Sequence, residues 1–114
     1  MSPRNWEMRL EDILISIERI HTYIAGMNYA EWARDHKTID AVTRNLEIIG
    51  EAANNIPWEI MTRFADIPWN HMRGMRNMLA HEYFGVDIEV IWKTAIEDLP
   101  ELKEQIERID ISRL

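Results

Sequence analysis

The chain lacks cysteine and holds only four glycines and four prolines among its 114 residues. Without cysteine there is no disulfide framework, thiolate zinc cluster, iron–sulfur site or cysteine nucleophile. No apolar run reaches the roughly 18 residues that a membrane span needs. The opening stretch MSPRNWEMRLEDIL shows no signal-peptide core. We therefore expect a soluble, cytoplasmic protein that is not exported and has no membrane partner.

Basic residues are fewer than acidic residues in this chain. The 13 Lys and Arg residues face 20 Asp and Glu residues, which gives a formal net charge of −7. This balance argues against broad electrostatic adhesion to nucleic acid or to an anionic membrane, so any contact with nucleic acid must be local. The length predicts one compact domain that spans residues 1–114 and leaves little room for a second.

Most catalytic motifs are also missing. The sequence contains no G-x-S-x-G elbow, Walker loop, dinucleotide fingerprint or H-E-x-x-H pair. The spacing of the four histidines does not match metal ligands; they are His21, His36, His71 and His81. We expect neither a bound metal nor a cofactor.

Apolar residues instead recur every three or four positions along most of the chain, which predicts an all-α fold. Four main helices in an antiparallel bundle are the most economical arrangement, with a possible fifth short helix. The expected segments are a helix over residues 5–25, an irregular bridge over 29–34, a helix over 35–56, a short turn after Pro57, a helix over 68–82, and a last helix from Asp87 that Pro100 kinks or restarts. We expect the five tryptophans to serve mainly in core packing.

Residues 71–85, HMRGMRNMLAHEYFG, concentrate positive and proton-transferring side chains in this acidic chain. The forked guanidinium of Arg76 matches phosphate oxygens, and His81 can exchange a proton near neutral pH. Metal-free RNA cleavage needs a cation at the phosphate, a base for the 2′-hydroxyl and an acid for the leaving 5′-oxygen. One Arg–His set lacks one proton-transfer group, so two copies of the chain must share the site. Arg73 and His71 either widen an RNA-binding groove or lie on a solvated helix face.

Helix geometry constrains this site. His81 lies five positions after Arg76, which places the two residues about 140° apart around an ideal helix. For the two side chains to converge, the helix must loosen near His81, or the pair must meet across an interface. Tyr83 follows Arg76 by seven residues and nearly shares its face if the helix continues that far.

The segment R-x4-H-x-Y at Arg76–Tyr83 resembles the motif of the HepT-like ribonuclease toxins, a branch of the HEPN superfamily. The resemblance extends over nearly the whole chain, through N-L-E-I-I-G-E-A-A at 45–53, I-P-W at 67–69 and H-E-Y-F-G-V-D at 81–87. It implies a HEPN-like helical bundle that forms a homodimer and acts as a metal-independent endoribonuclease. In this resemblance, Arg76 is the catalytic arginine that binds phosphate, His81 is the catalytic histidine and Asn77 supports the site.

The same resemblance implies a partner and a regulation. Such toxins belong to type VII toxin–antitoxin systems, in which an MntA-like minimal nucleotidyltransferase neutralises the toxin by transferring AMP to the motif tyrosine, here Tyr83. The modified chain would carry a phosphodiester, whose charge and bulk would lie two residues from His81.

Other interpretations stay open at this point. The chain is alternatively a non-catalytic helical partner, or substrate-presenting subunit, of a minimal nucleotidyltransferase, or a structural dimerisation module. Arg76 alone is compatible with a surface ion pair to an acidic neighbour. A polar stripe on the second long helix is by default a solvated face and alternatively a surface for dimer or antitoxin; it consists of Arg44, Glu47, Glu51 and Asn54.

Overall fold

The structure is a computed structural model that describes residues 5–81 and 87–109, and for residues 77–81 it describes the backbone only. Within these ranges the chain forms helices and no β-strand, which confirms the all-α prediction. The helices are α1 (Trp6–Ile24), α2 (Tyr29–Ala33), α3 (His36–Asn54), α4 (Trp58–Arg63), α5 (Trp69–His81), α6 (Ile88–Lys93) and α7 (Leu99–Glu107), with a π-helical turn at Thr94–Asp98 that joins the last two. No helix of these ranges is both long and apolar enough to cross a membrane.

Polar side chains fix the helix starts where the sequence places them. The side chain of Asn5 accepts a hydrogen bond from the backbone N–H of Met8 at the start of α1. Asp35 accepts from the backbone N–H and the hydroxyl of Thr38 at the start of α3, and these bonds hold the pKa of its carboxyl below its usual range. After α1 the chain turns through Gly26, whose φ of 77° suits a residue without a Cβ.

The bridge expected over residues 29–34 is instead the short helix α2. Asn28 and Glu31 form a capping box, in which each side chain accepts from the backbone N–H of the other residue. The helix carries Trp32 into the core, where the side chain is fully buried and its Nε1 donates to the Ile88 carbonyl at 3.0 Å. Burial of one large ring thus explains why so short a helix forms.

Pro100 lies in the first turn of a new helix, α7, which agrees with the predicted restart. The preceding turn widens, so that the Leu99 N–H donates to the Thr94 carbonyl, five residues earlier. Proline has no N–H to donate and is tolerated in the first turn of α7. The apolar stripe therefore continues through the turn, with Leu99, Leu102 and Ile106 buried.

Helix α3 is the centre of the bundle. It packs against both α1 and α5 and also contacts α2, while α7 packs on α1. The buried side chains of α3 include Val42, Leu46 and Ile49. On the inner face of α5, the side chains of Trp69 and Met72 are buried. Trp58, by contrast, is 73% exposed, so the expectation that tryptophans serve in the core is wrong for this residue.

Gly50 allows α3 and α5 to approach closely. A Cβ at this position would lie 2.7 Å from the Cβ of Arg76 and 3.0 Å from the carbonyl oxygen of Met72. The carbonyl oxygen belongs to the backbone of α5 and the Cβ is bonded to that backbone, so a change of side-chain rotamer cannot move either atom away. The absence of a side chain at residue 50 therefore sets how near Arg76 comes to α3.

Replacing Gly50 with alanine is expected to lower the free energy of unfolding by about 1–3 kcal/mol, because α5 must shift away from α3. The higher helix propensity of alanine, about 1 kcal/mol, opposes this loss only in part. The matched control is Gly74→Ala on α5, since no described atom lies within 4 Å of a Cβ there. Urea unfolding should show destabilisation by the first change and an unchanged or raised stability for the second. Equal stability of the two variants would contradict a tight contact at Gly50.

Candidate active site

Arg76 lies on the face of α5 that meets α3. Its Nε is 3.1 Å from Oε2 of Glu51, and each of the two side chains is about half exposed, at 48% and 49%. Arg76 thus does pair with an acidic neighbour. An exposed pair of this kind contributes about 1 kcal/mol or less, so it orients the guanidinium without making exchange for a phosphate costly.

A second polar contact lies one helical turn away. The Nε of Arg73 donates to Oδ1 of Asn54 at 3.3 Å. Residues 73 and 76 on α5 therefore meet residues 54 and 51 on α3, which shows that the two helices run antiparallel. The two arginines are held side by side by groups of the central helix.

Arg76 separates two cavities of different electrostatic character. On one side a cavity of about 380 Å³ is lined by three arginines and three carboxylates, namely Arg9, Arg44, Arg76, Asp12, Glu47 and Glu51. On the other side a cavity of about 290 Å³ is lined by Asn54, Asn70, Arg73, Gly74 and Arg76. No carboxylate occurs among the described residues that line this second cavity. An anion that reaches Arg76 meets fewer negative neighbours on the second side.

Helix α5 is α-helical through His81. Loosening near His81 was one of the two ways in which Arg76 and His81 were expected to converge. The helix is regular as far as His81, and residues 82–86 lie outside the described residues, so this expectation stays a prediction. Their positions remain about 140° apart around the helix axis. The side chains of Asn77 and His81, and all of Tyr83, lie outside the described residues.

The remaining predicted residues of the segment are exposed. Arg73 lies on the solvent side of α5 and beside Arg76, as the cavity between them shows. His71 is exposed and lines a cavity that also contains Asp66, Asp98 and Glu101. Of these two residues, only Arg73 lies next to Arg76 in a cavity that lacks described carboxylates.

The polar stripe on α3 faces the arginines of α5 at two of its four positions. Glu51 and Asn54 contact Arg76 and Arg73, so the default interpretation of a solvated face is incomplete. Sequence reasoning assigned no site role to either residue. A usable signal was present, because the three-residue spacing of Glu51 and Asn54 equals that of Arg73 and Arg76. Matching spacings on two antiparallel helices allow both contacts at once.

No group of three or more Asp, Glu or His side chains in the described part of the chain is arranged to hold a metal ion. The polar groups available around α5 in that part are guanidinium, imidazole, carboxylate and amide groups. Of these, the guanidinium groups of Arg76 and Arg73 are suited to bind a pair of phosphate oxygens.

The chain is similar in sequence to several known proteins. A protein named "Probable ribonuclease HepT" from Thermococcus cleftensis is 46% identical over 100 residues, which cover 88% of this chain and 91% of that protein. "Putative RNase TTE0752" from Caldanaerobacter subterraneus subsp. tengcongensis is 39% identical over 100 residues, covering 88% and 89% of the two chains. "Putative RNase MJ1380" from Methanocaldococcus jannaschii is 38% identical over 107 residues, covering 94% and 98%.

No solved structure matches the chain significantly. Among protein families, the one described as Ribonuclease HepT-like matches residues 13–109. That range includes the whole of α3 and α5, which carry Glu51, Asn54, Arg73 and Arg76. The chain therefore belongs to the ribonuclease HepT-like family.

Proposed function

We propose that the chain is a metal-independent endoribonuclease and the toxin of a type VII toxin–antitoxin pair, acting as a homodimer on RNA in the cytoplasm. The observation that carries the proposal is the position of Arg76, which is half exposed, oriented by Glu51 and open to a cavity without described carboxylates, in a chain of the ribonuclease HepT-like family. The names of the relatives, which refer to ribonucleases, support the same activity.

The proposed reaction is a phosphoryl transfer within the RNA strand. The ribose 2′-oxygen attacks the adjacent phosphorus, its proton passes to a base, and the bond from phosphorus to the 5′-oxygen breaks. An acid protonates that 5′-oxygen, which leaves a 2′,3′-cyclic phosphate and a 5′-hydroxyl. Arg76 stabilises the additional charge on the phosphorane oxygens through its forked N–H donors.

His81 supplies proton transfer, and the reaction needs two such groups. The uninterrupted helix through His81 supports a dimeric site, because one protomer presents Arg76 and His81 at positions on different sides of α5. A twofold axis would bring two copies of each residue to one cleft. Asn77, which follows Arg76, supports the site in this proposal.

Replacement of Arg76 or His81 with alanine is expected to lower the rate of cleavage of a single-stranded RNA about a hundredfold or more, because charge stabilisation or proton transfer is lost. Arg76→Lys should retain part of the activity, since lysine keeps the charge but not the fork. Matched controls are Arg108→Ala, which removes an exposed arginine of the C-terminal end, and His36→Ala at the exposed start of α3.

The measurement is the initial rate on a labelled oligonucleotide in the presence of EDTA, with circular dichroism to verify helical content. Wild-type rates in both Arg76→Ala and His81→Ala would refute the site. Absence of EDTA-resistant cleavage by the wild-type dimer, together with co-purification with a nucleotidyltransferase, would favour the non-catalytic partner instead.

The proposed regulation is transfer of AMP from ATP by an MntA-like nucleotidyltransferase antitoxin. The phenolic oxygen of Tyr83 would attack the α-phosphorus, pyrophosphate would leave and the phenol would lose its proton. The resulting phosphodiester adds a negative charge close in sequence to His81 and competes with RNA phosphate for the cleft.

Co-expression with such a transferase is expected to raise the intact mass of the chain by one or more AMP groups and to abolish RNA cleavage. Tyr83→Phe should prevent both effects, because phenylalanine has no hydroxyl to accept the phosphoryl group. Tyr23→Phe is the control, since Tyr23 is an exposed tyrosine of α1. Addition of AMP to the Tyr83→Phe chain, or none to the wild type, would contradict Tyr83 as the acceptor.

A further inference from the structure

Trp58 is an exposed aromatic residue that the fold does not use. Its side chain is 73% exposed, the highest fraction among the described large apolar residues, whereas the neighbours Ile60, Met61 and Phe64 pack against the core. Single exposed apolar residues are common and need no function. What surrounds Trp58 distinguishes it from the others.

The indole borders a cavity of about 580 Å³ between α4 and the first turns of α5. The polar groups of its lining are Thr62, Asn70, His71 and Arg73, and no carboxylate occurs among the described lining residues. The cavity shares Asn70 and Arg73 with the smaller cavity that reaches Arg76. Together the two form a continuous surface, here named the Trp58 groove and defined by Trp58, Asn70, Arg73 and Arg76.

The charge of this groove is unusual for the chain. The sequence has a formal net charge of −7, and two other cavities beside α5 are lined with acidic residues, three in each. In the Trp58 groove the described charged groups that line the two cavities are Arg73 and Arg76. A polyanion held at Arg76 therefore meets carboxylates in one direction and arginine, amide and indole groups in the other.

We propose that the Trp58 groove binds single-stranded RNA beside the cleaved phosphate, with a base stacked on the Trp58 indole and a flanking phosphate on Arg73. The inference rests on the proposed ribonuclease function. It specifies where the nucleotides next to the cleaved phosphate bind. Asn54, which accepts from Arg73, acts as a positioning residue for that arginine. An exposed indole next to cationic groups is the usual means of binding single strands without reading sequence.

The groove also predicts the class of RNA. A base can stack on Trp58 only when it is not stacked within a duplex, so the substrate is a single strand or a loop. An exposed tryptophan can also contact a protein partner, which here would be a second copy of the chain or an antitoxin. No carboxylate occurs among the described residues that line the two cavities between Arg76 and Trp58, and this favours RNA.

The test measures binding to a labelled single-stranded oligoribonucleotide with 2′-O-methyl groups, which the proposed reaction cannot cleave because it has no free 2′-hydroxyl. Trp58→Ala is expected to raise the Kd about tenfold by fluorescence anisotropy, and Trp58→Tyr should restore most of the affinity because a ring remains. With cleavable RNA, KM should rise while kcat stays near the wild-type value. The control for loss of an exposed ring is Tyr23→Ala on α1.

Arg73→Ala separates phosphate binding from stacking. It is expected to weaken RNA binding and to reduce the slope of log K against log salt by about 0.7, the value for one phosphate contact of a single strand. Trp58→Ala should leave that slope unchanged. Arg108→Ala, outside the groove, is the control for loss of a positive charge.

The outcomes are distinct. Wild-type Kd and KM in Trp58→Ala, with cleavage intact, would overturn the groove and leave the ribonuclease proposal standing. Unchanged RNA binding with a loss of dimer mass in light scattering, or of nucleotidyltransferase co-purification, would assign Trp58 to a protein interface. If the wild-type chain neither binds nor cleaves RNA, the proposed function itself fails, and the groove inference fails with it.

Discussion

The contact between α3 and α5 at Gly50 is the constraint on which the described site depends. Because residue 50 has no side chain, the backbone of α5 can pack directly against α3. The Cβ of Arg76 lies next to the Cα of Gly50. The same approach brings Glu51 and Asn54 within reach of the two arginines. Packing and electrostatics are thus coupled at one place in the molecule, and a change in helix separation alters the orientation of the cationic groups.

This coupling bears on the proposed binding of a polyanion by an acidic protein. No carboxylate occurs among the described residues that line the cavity shared by Arg73 and Arg76, and Glu51 is oriented toward Arg76 without burying it. Weak, exposed contacts position the guanidinium and remain exchangeable, which is the property that a phosphate-binding group needs.

The sequence predicted the all-α fold well, because apolar periodicity and capping residues such as Asn5 and Asp35 act locally. It failed for α2, whose formation depends on burial of Trp32 under Ile88, a contact between residues far apart in the chain. It also failed for the exposure of Trp58, since residue type alone favours burial. Arg76 was assigned to the candidate site from its motif, and this assignment stays a prediction, whereas the contacts of Glu51 and Asn54 required knowledge of how α3 and α5 face each other.

The wide turn before Pro100 contains one residue more than an ordinary helical turn, in the manner of a π-bulge. Deleting a single residue there would restore regular α-helical winding, because the wide turn absorbs the extra residue and keeps the flanking segments in their orientations. Ile91 before the turn and Leu102 and Ile106 after it would then stay on the core side. A second deletion would find no wide turn to absorb it and would rotate the whole C-terminal helix by about 100° relative to the bundle.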